Sequence, residues 1–139
     1  MNKKQAFESF GTIQTNLRRS WSAKSEDGKT VAITAWADQV HRTDSPDFYL
    51  DTFGLPHTQR NELWRADFYN HQRVSFMQHA LANNDGLVRV VLLEARDPHA
   101  FPREIVRNRV KPETGKWFRI VELNAETGEF RLEFSHADD

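Results

Sequence analysis

The chain is expected to fold as one α+β domain: a curved, mostly antiparallel sheet of five or six strands, closing toward a small barrel and packed against one long helix. Three observations predict it. Two segments near the ends, Trp21–Trp36 and Trp117–Phe134, carry strand-like alternation on both sides of a turn signal. A nearly continuous apolar run, LVRVVLLEA over 87–95, lies between them. A helix-periodic stretch over 59–83 precedes that run. Neighbouring hairpins favour antiparallel pairing, hence α+β and not a doubly wound fold. At 139 residues the chain suits a single domain over 1–139, because two cores would each approach the lower limit for unaided folding.

In chain order, residues 1–17 read as an N-terminal arm or short helix. Phe7, Phe10, Ile13 and Leu17 fall at helix-like spacings, which Gly11 and Thr12 interrupt. Next comes SWSAKSEDGKTVAITAW over 20–36. Asp27-Gly28 supplies the positive-φ positions of a tight turn, and Val31, Ile33 and Ala35 alternate with Ala32, Thr34 and Trp36. Residues 37–58 hold turn formers and two prolines, so a surface loop is expected there, with a short strand at 47–51. The helix over 59–83 is capped by Thr58 and carries a stripe of Leu63, Ala66, Asn70, Val74, Met77 and Leu81. Asn83-Asn84-Asp85-Gly86 stops it. The run 87–95 reads as a central strand buried on most of both faces. Prolines at 98, 102 and 112 exclude a long helix over 95–116 but leave room for a short one at 103–109. A closing hairpin follows, WFRIVELNAETGEFRLEF, with Phe130, Leu132 and Phe134 on its buried face. Residues 136–139 are expected to fray.

Composition narrows the function. The net charge of −1 is unlike that of a globally basic nucleic-acid binder, so only a local patch can serve such a role. The absence of cysteine removes a disulfide scaffold, a thiolate zinc site and a thiol nucleophile. MNKKQAFESF lacks the apolar core of a signal peptide, and no run approaches the roughly 18 apolar residues of a membrane span, so a cytoplasmic protein is expected. No cofactor is implied. Gly-rich phosphate loops, His-Glu-x-x-His and Gly-x-Ser-x-Gly are all missing from the sequence, which argues against an enzyme.

Three constellations remain. The first is basic: Arg96, Arg103, Arg107, Arg109, Lys111 and Lys116 face only Asp97, Glu104 and Glu113. Phosphate backbones attract such clusters through counterion release, although a solvated loop with paired arginines has the same composition. The second is aromatic: Trp21, Trp36, Tyr49, Trp64 and Trp117. Rings stack on unpaired bases or line a pocket for a flipped one, and they equally build cores. Trp36 alternates away from Val31, Ile33 and Ala35, which gives it the better claim to a pocket. The face of Trp21 depends on a register the sequence does not state. The third pairs Asp67 with His71 and Asp97 with His99; two ligands do not make a metal site, and a solvated helical face explains the first pair.

The arrangement of SWSAKSEDGKTVAITAW, a long helix, GLVRVVLLEARDPHAFPREI and WFRIVELNAETGEFRLEF is similar to that of PUA-like domains, the group that includes EVE and ASCH domains. The resemblance covers residues 18–135 and implies nucleic-acid recognition, with modified bases read in an aromatic-lined pocket. The basic excess near aromatics gives the same reading from the residues: DNA or RNA, with a modified or unstacked base stacked on Trp21, Trp36 and Tyr49. Arg96, Arg103, Arg107, Arg109 and Lys111 then hold the backbone. The alternative is a protein–protein interaction or regulatory subunit, or a homodimer, since exposed aromatics with Arg also mark protein interfaces.

Overall fold

The computed structural model describes residues 2–17, 20–37, 40–41, 48–51, 68–96, 105–125 and 130–135; within these, the side chains of Trp36, 40–41, 48–51, 68–70, Ala95 and 105–108 lie outside the description. The elements are α1 (Lys3–Glu8), β1 (Thr12–Ile13), β2 (Ser22–Ser25), β3 (Val31–Trp36), β4 (Val40–His41), β5 (Phe48–Asp51), α2 (Phe68–Asn83), β6 (Leu87–Ala95), β7 (Ile105–Pro112), β8 (Trp117–Leu123) and β9 (Phe130–Ser135). The protein is α+β, and its sheet runs β1-β2-β3-β6-β8-β9-β5-β4, with β7 also on β6. All pairings are antiparallel except β3 with β6. The sheet is thus mostly antiparallel, as expected, with one parallel pair. The chain between β3 and β6 carries α2 across the sheet, which is how parallel neighbours are joined.

β6 is the organising strand. Val88 and Val90 are buried on one face and Val91 and Leu93 on the other, as its nearly continuous apolar run predicts. One edge pairs β3 over Arg89–Leu93. The other edge is shared: Val91 faces Pro112 of β7, whereas Val88 faces Phe118 of β8. Residues 105–119 therefore pass β6 as one interrupted strand, with Glu113–Trp117 set against only Arg89 and Val90. Pro112 has no N–H to continue the ladder, and Gly115, at φ 76°, lets the chain turn out and back. Only Leu87 and Val88 connect the two halves of the sheet here, so the sheet bends at this point.

Of the short helix expected at 103–109, residues 105–109 belong instead to β7, and 103 and 104 lie outside the described residues. Ile105, Val106 and Val110 are β-branched and favour extended backbone, and the edge of β6 supplies their hydrogen bonds. Helix α2 covers one face of the sheet, where Val74, Met77 and Ala80 pack on Val31, Ile33, Ala35, Val88, Val90, Phe118, Ile120, Phe130 and Leu132. Its buried stripe differs from the expected one. Leu81 is 45% exposed, while Arg73 is 2% exposed. By helix geometry Leu81 lies only about 20° round from buried Val74, so it keeps the expected face, and its exposure comes at the last turn of α2 rather than from helix rotation. Residues 59–67 and Thr58 lie outside the described residues.

The helix stop is as expected. Asp85 and Gly86 both have positive φ, and the amides of Asn84 and Gly86 donate to the Ala80 carbonyl. His79 then anchors α2 to the first hairpin: its Nε2 lies 2.8 Å from the Gly28 carbonyl, which also accepts from Asn84 Nδ2 at 3.3 Å. A carbonyl only accepts, so Nε2 carries the proton.

The opposite face of β3 and β6 holds a smaller core of Ala6, Phe7, Ala23, Ala32, Val91, Leu93 and Val110, with Phe10 and Trp21 packed against it. A helix as short as α1 does not persist alone. It forms because Asn2 and Gln5 complete a capping box and because Ala6 and Phe7 are buried. Among the described residues no helix is long and apolar enough to cross a membrane. The tail 136–139 lies outside them.

Candidate nucleic-acid interface

The sheet bend brings cations and rings together on the α1 side. Arg89 is the one charged residue in the first half of β6, on the same face as Val91 and Leu93. Its guanidinium lies 3.7 Å from the Trp117 ring centre and 5.7 Å from that of Phe10. Its Nη1 donates to the Lys116 carbonyl at 2.8 Å, which fixes the turned-out segment and the indole beside it. Arg119, two residues beyond Trp117, shares its face and donates from Nη1 to the Asp85 carbonyl at 2.6 Å. The next strand contributes Arg131 and Glu133, paired at 3.1 Å, with Glu133 in register with Arg119. Lys116 is exposed and pairs with the largely buried Glu113 at 3.1 Å. Arginine stacked on an indole is a strong cation–π contact, and the guanidinium keeps its charge at any physiological pH.

The second ring on this side is Trp21. Half-buried against the smaller core, it fixes the hairpin register through its carbonyl, which accepts from the backbone N–H and the hydroxyl of Thr34. Lys3 Nζ lies 4.5 Å from the ring centre. Trp36 closes β3 opposite Leu93, and Tyr49 lies in β5 opposite Leu132 and Val40; the side chains of both, and all of Trp64, lie outside the described residues.

The expected basic cluster is spread over two strands. Arg96 is exposed just after β6, and Arg109 and Lys111 are exposed on β7, alternating with buried Val110. Arg109 and Lys111 take the face away from Val110, so they do not share a face with Trp117 and Arg89. Arg107 belongs to β7 with its side chain outside the described residues, and Arg103 lies outside them entirely. Charged side chains on an exposed edge strand also guard against edge-to-edge pairing, a purely structural use of the same residues.

The other sequence candidates fare differently. His71 is exposed, and Asp67, Asp97 and His99 lie outside the described residues. Among the described residues no group of three or more His, Cys, Asp or Glu is placed to hold a metal. An open groove lined by Gly11, Ser25, Glu26 and Asp27 is acidic. The Lys29 amide and the Ser25 hydroxyl hold the Asp27 carboxyl below the usual carboxylate range, so it stays anionic and repels phosphate.

Sequence reasoning missed Arg89, Arg119 and Arg73. The first two are single arginines in apolar strands, with strand alternation as the only signal. Arg73 lies in the larger core, its guanidinium 5.0 Å from the Phe130 ring and its Nη1 3.4 Å from the Thr34 carbonyl. No protein-family model, curated protein or solved structure matches this chain.

Proposed function

We propose that the chain is a nucleic-acid-binding module that takes up unstacked or modified bases on the α1 side of its sheet. The observation that carries this reading is the Arg89–Trp117 stack, flanked by Arg119 and Lys116. Aromatic faces beside fixed cations are the general recipe for holding single strands. Trp21 and Trp36 extend the stacking surface, whereas Tyr49, in register with Leu132 of the larger core, is not part of it. Arg96, Arg103, Arg107, Arg109 and Lys111 hold the backbone where it passes the β7 edge. A PUA-like barrel belongs to the same proposal. It is supported by the bend at Val88 and by the approach of β5 to β3, which curls the sheet toward closure. The near-neutral net charge predicts modest, salt-sensitive affinity and not tight duplex binding.

The test is titration of intrinsic tryptophan emission with single- and double-stranded DNA and RNA, with and without modified bases, at two salt concentrations. Selective, salt-dependent quenching is expected. Trp117→Ala should cost about 1–3 kcal/mol of binding. Arg109→Ala with Lys111→Ala should lower the salt slope by about two while leaving base preference alone. Silence across the panel at low salt overturns the reading.

A protein partner or second copy is the alternative, favoured by one observation. Ile13, in edge strand β1, is 63% exposed and Leu17 is 52% exposed. A concentration-independent monomer in sedimentation would exclude the second copy.

A further inference from the structure

Two adjacent lysines open α1 in different surroundings. Lys4 is exposed and pairs with Glu8, Nζ to Oε1, at 3.6 Å. Lys3 is half-buried, with Nζ 4.5 Å from the Trp21 ring centre and donating to the Ser20 carbonyl at 3.3 Å. Burial pushes the Lys3 ammonium down to about 8. An indole on one side and a backbone acceptor on the other hold the amine in place at the rim of the smaller core. A desolvated, positioned amine is the form of lysine that attacks acyl carbons.

We propose that Lys3 is an acylation site, taking its acyl group from an acyl thioester, and that modification loosens α1 from the smaller core. The neutral amine attacks the thioester carbonyl carbon. A C–N bond forms as the C–S bond breaks, and the departing thiolate takes up the proton that the nitrogen sheds. The product amide is uncharged, so the cation facing Trp21 is lost. What then holds α1 is the Asn2 cap and the burial of Ala6 and Phe7.

Lys4 is the internal control. The whole chain is incubated near pH 8 with the acetyl thioester of N-acetylcysteamine, and acetylation at each lysine is followed by tandem mass spectrometry. Under these conditions about half of Lys3 is neutral, against about one in 300 of an ordinary lysine. Lower basicity returns part of that advantage as lower nucleophilicity. Lys3 should therefore lead Lys4 on the order of tenfold. Equal rates, or Lys3 behind Lys4, overturn the site. Hydrogen exchange on the acetylated chain tests the second part: the amides of Ala6, Ser9 and Phe10, bonded within or just after α1, should exchange faster while those of β6 do not change. Unchanged protection in α1 overturns the loosening.

Discussion

The two faces of the β3–β6 pair carry cores of different construction. The α2 side draws buried residues from β3, α2, β6, β8 and β9, joining segments from position 31 to 132. The α1 side gathers Ala23, Ala32, Val91, Leu93 and Val110 from the strands under a six-residue helix, with Phe7 as its one fully buried ring among the described residues. The first core depends on the whole chain and can fail only with it. The second lies under a six-residue helix held by its Asn2 cap, the Lys3–Trp21 contact and the burial of Phe7, so it is expected to open before the sheet unfolds. The candidate binding rings, Trp21 and Trp117, lie on this second side.

Truncating one phenylalanine in each core should separate the two most strongly. Phe130→Ala removes a ring packed on Arg73 and should cost about 3–5 kcal/mol in denaturant unfolding. Phe7→Ala should cost about 1–3 kcal/mol, because α1 detaches before the sheet unfolds. Equal losses would show that the two cores form one cooperative unit. Next comes the cap. Asn2→Ala removes the acceptor for the Gln5 amide at 2.8 Å and should cost about 1 kcal/mol. The loss should appear as faster exchange in α1 with little change in β6.

Two pH effects are smaller and sharpen the same contrast. Lys3 is lowered by burial from 10.5 to about 8. Between those values the unfolded chain holds a proton that the folded chain has released, so this group makes stability rise with pH across that window. Lys3→Met should remove that rise, measured as the difference between the two unfolding curves at each pH. At the acid end, Asp27 is lowered chiefly by the Lys29 amide and then by the Ser25 hydroxyl. Its contribution is present above the unfolded value of about 3.9 and is lost as the pH falls through the lower folded value. Asp27→Asn should flatten that acid limb slightly, with the signal in the hairpin amides.

Much of this architecture was legible in the chain, element by element. Asp27-Gly28 with alternating Val31, Ile33 and Ala35 announced β2 and β3. Asn83 to Gly86 announced the end of α2, and Phe130, Leu132 and Phe134 announced β9. Of the candidate site, only the residue types were readable. Trp117 and Lys116 were visible as members of an aromatic set and a basic segment, but nothing marked Arg89 as the partner of Trp117. That contact exists only because the turned-out segment after Pro112 returns the chain to the edge of β6.

Turn chemistry, side-chain alternation and helix stops act over a few residues, so the sequence alone determined the hairpins, the central strand and the α+β class. Tertiary structure decided the parallel pairing of β3 with β6, the extended backbone of β7 where a short helix was expected, the burial of Arg73 with the exposure of Leu81, and the Arg89–Trp117 stack. Each of these depends on which distant edge or face is free to satisfy a hydrogen bond or cover an apolar surface. Local propensity is worth only tenths of a kcal/mol per residue, too little to outweigh such long-range partners.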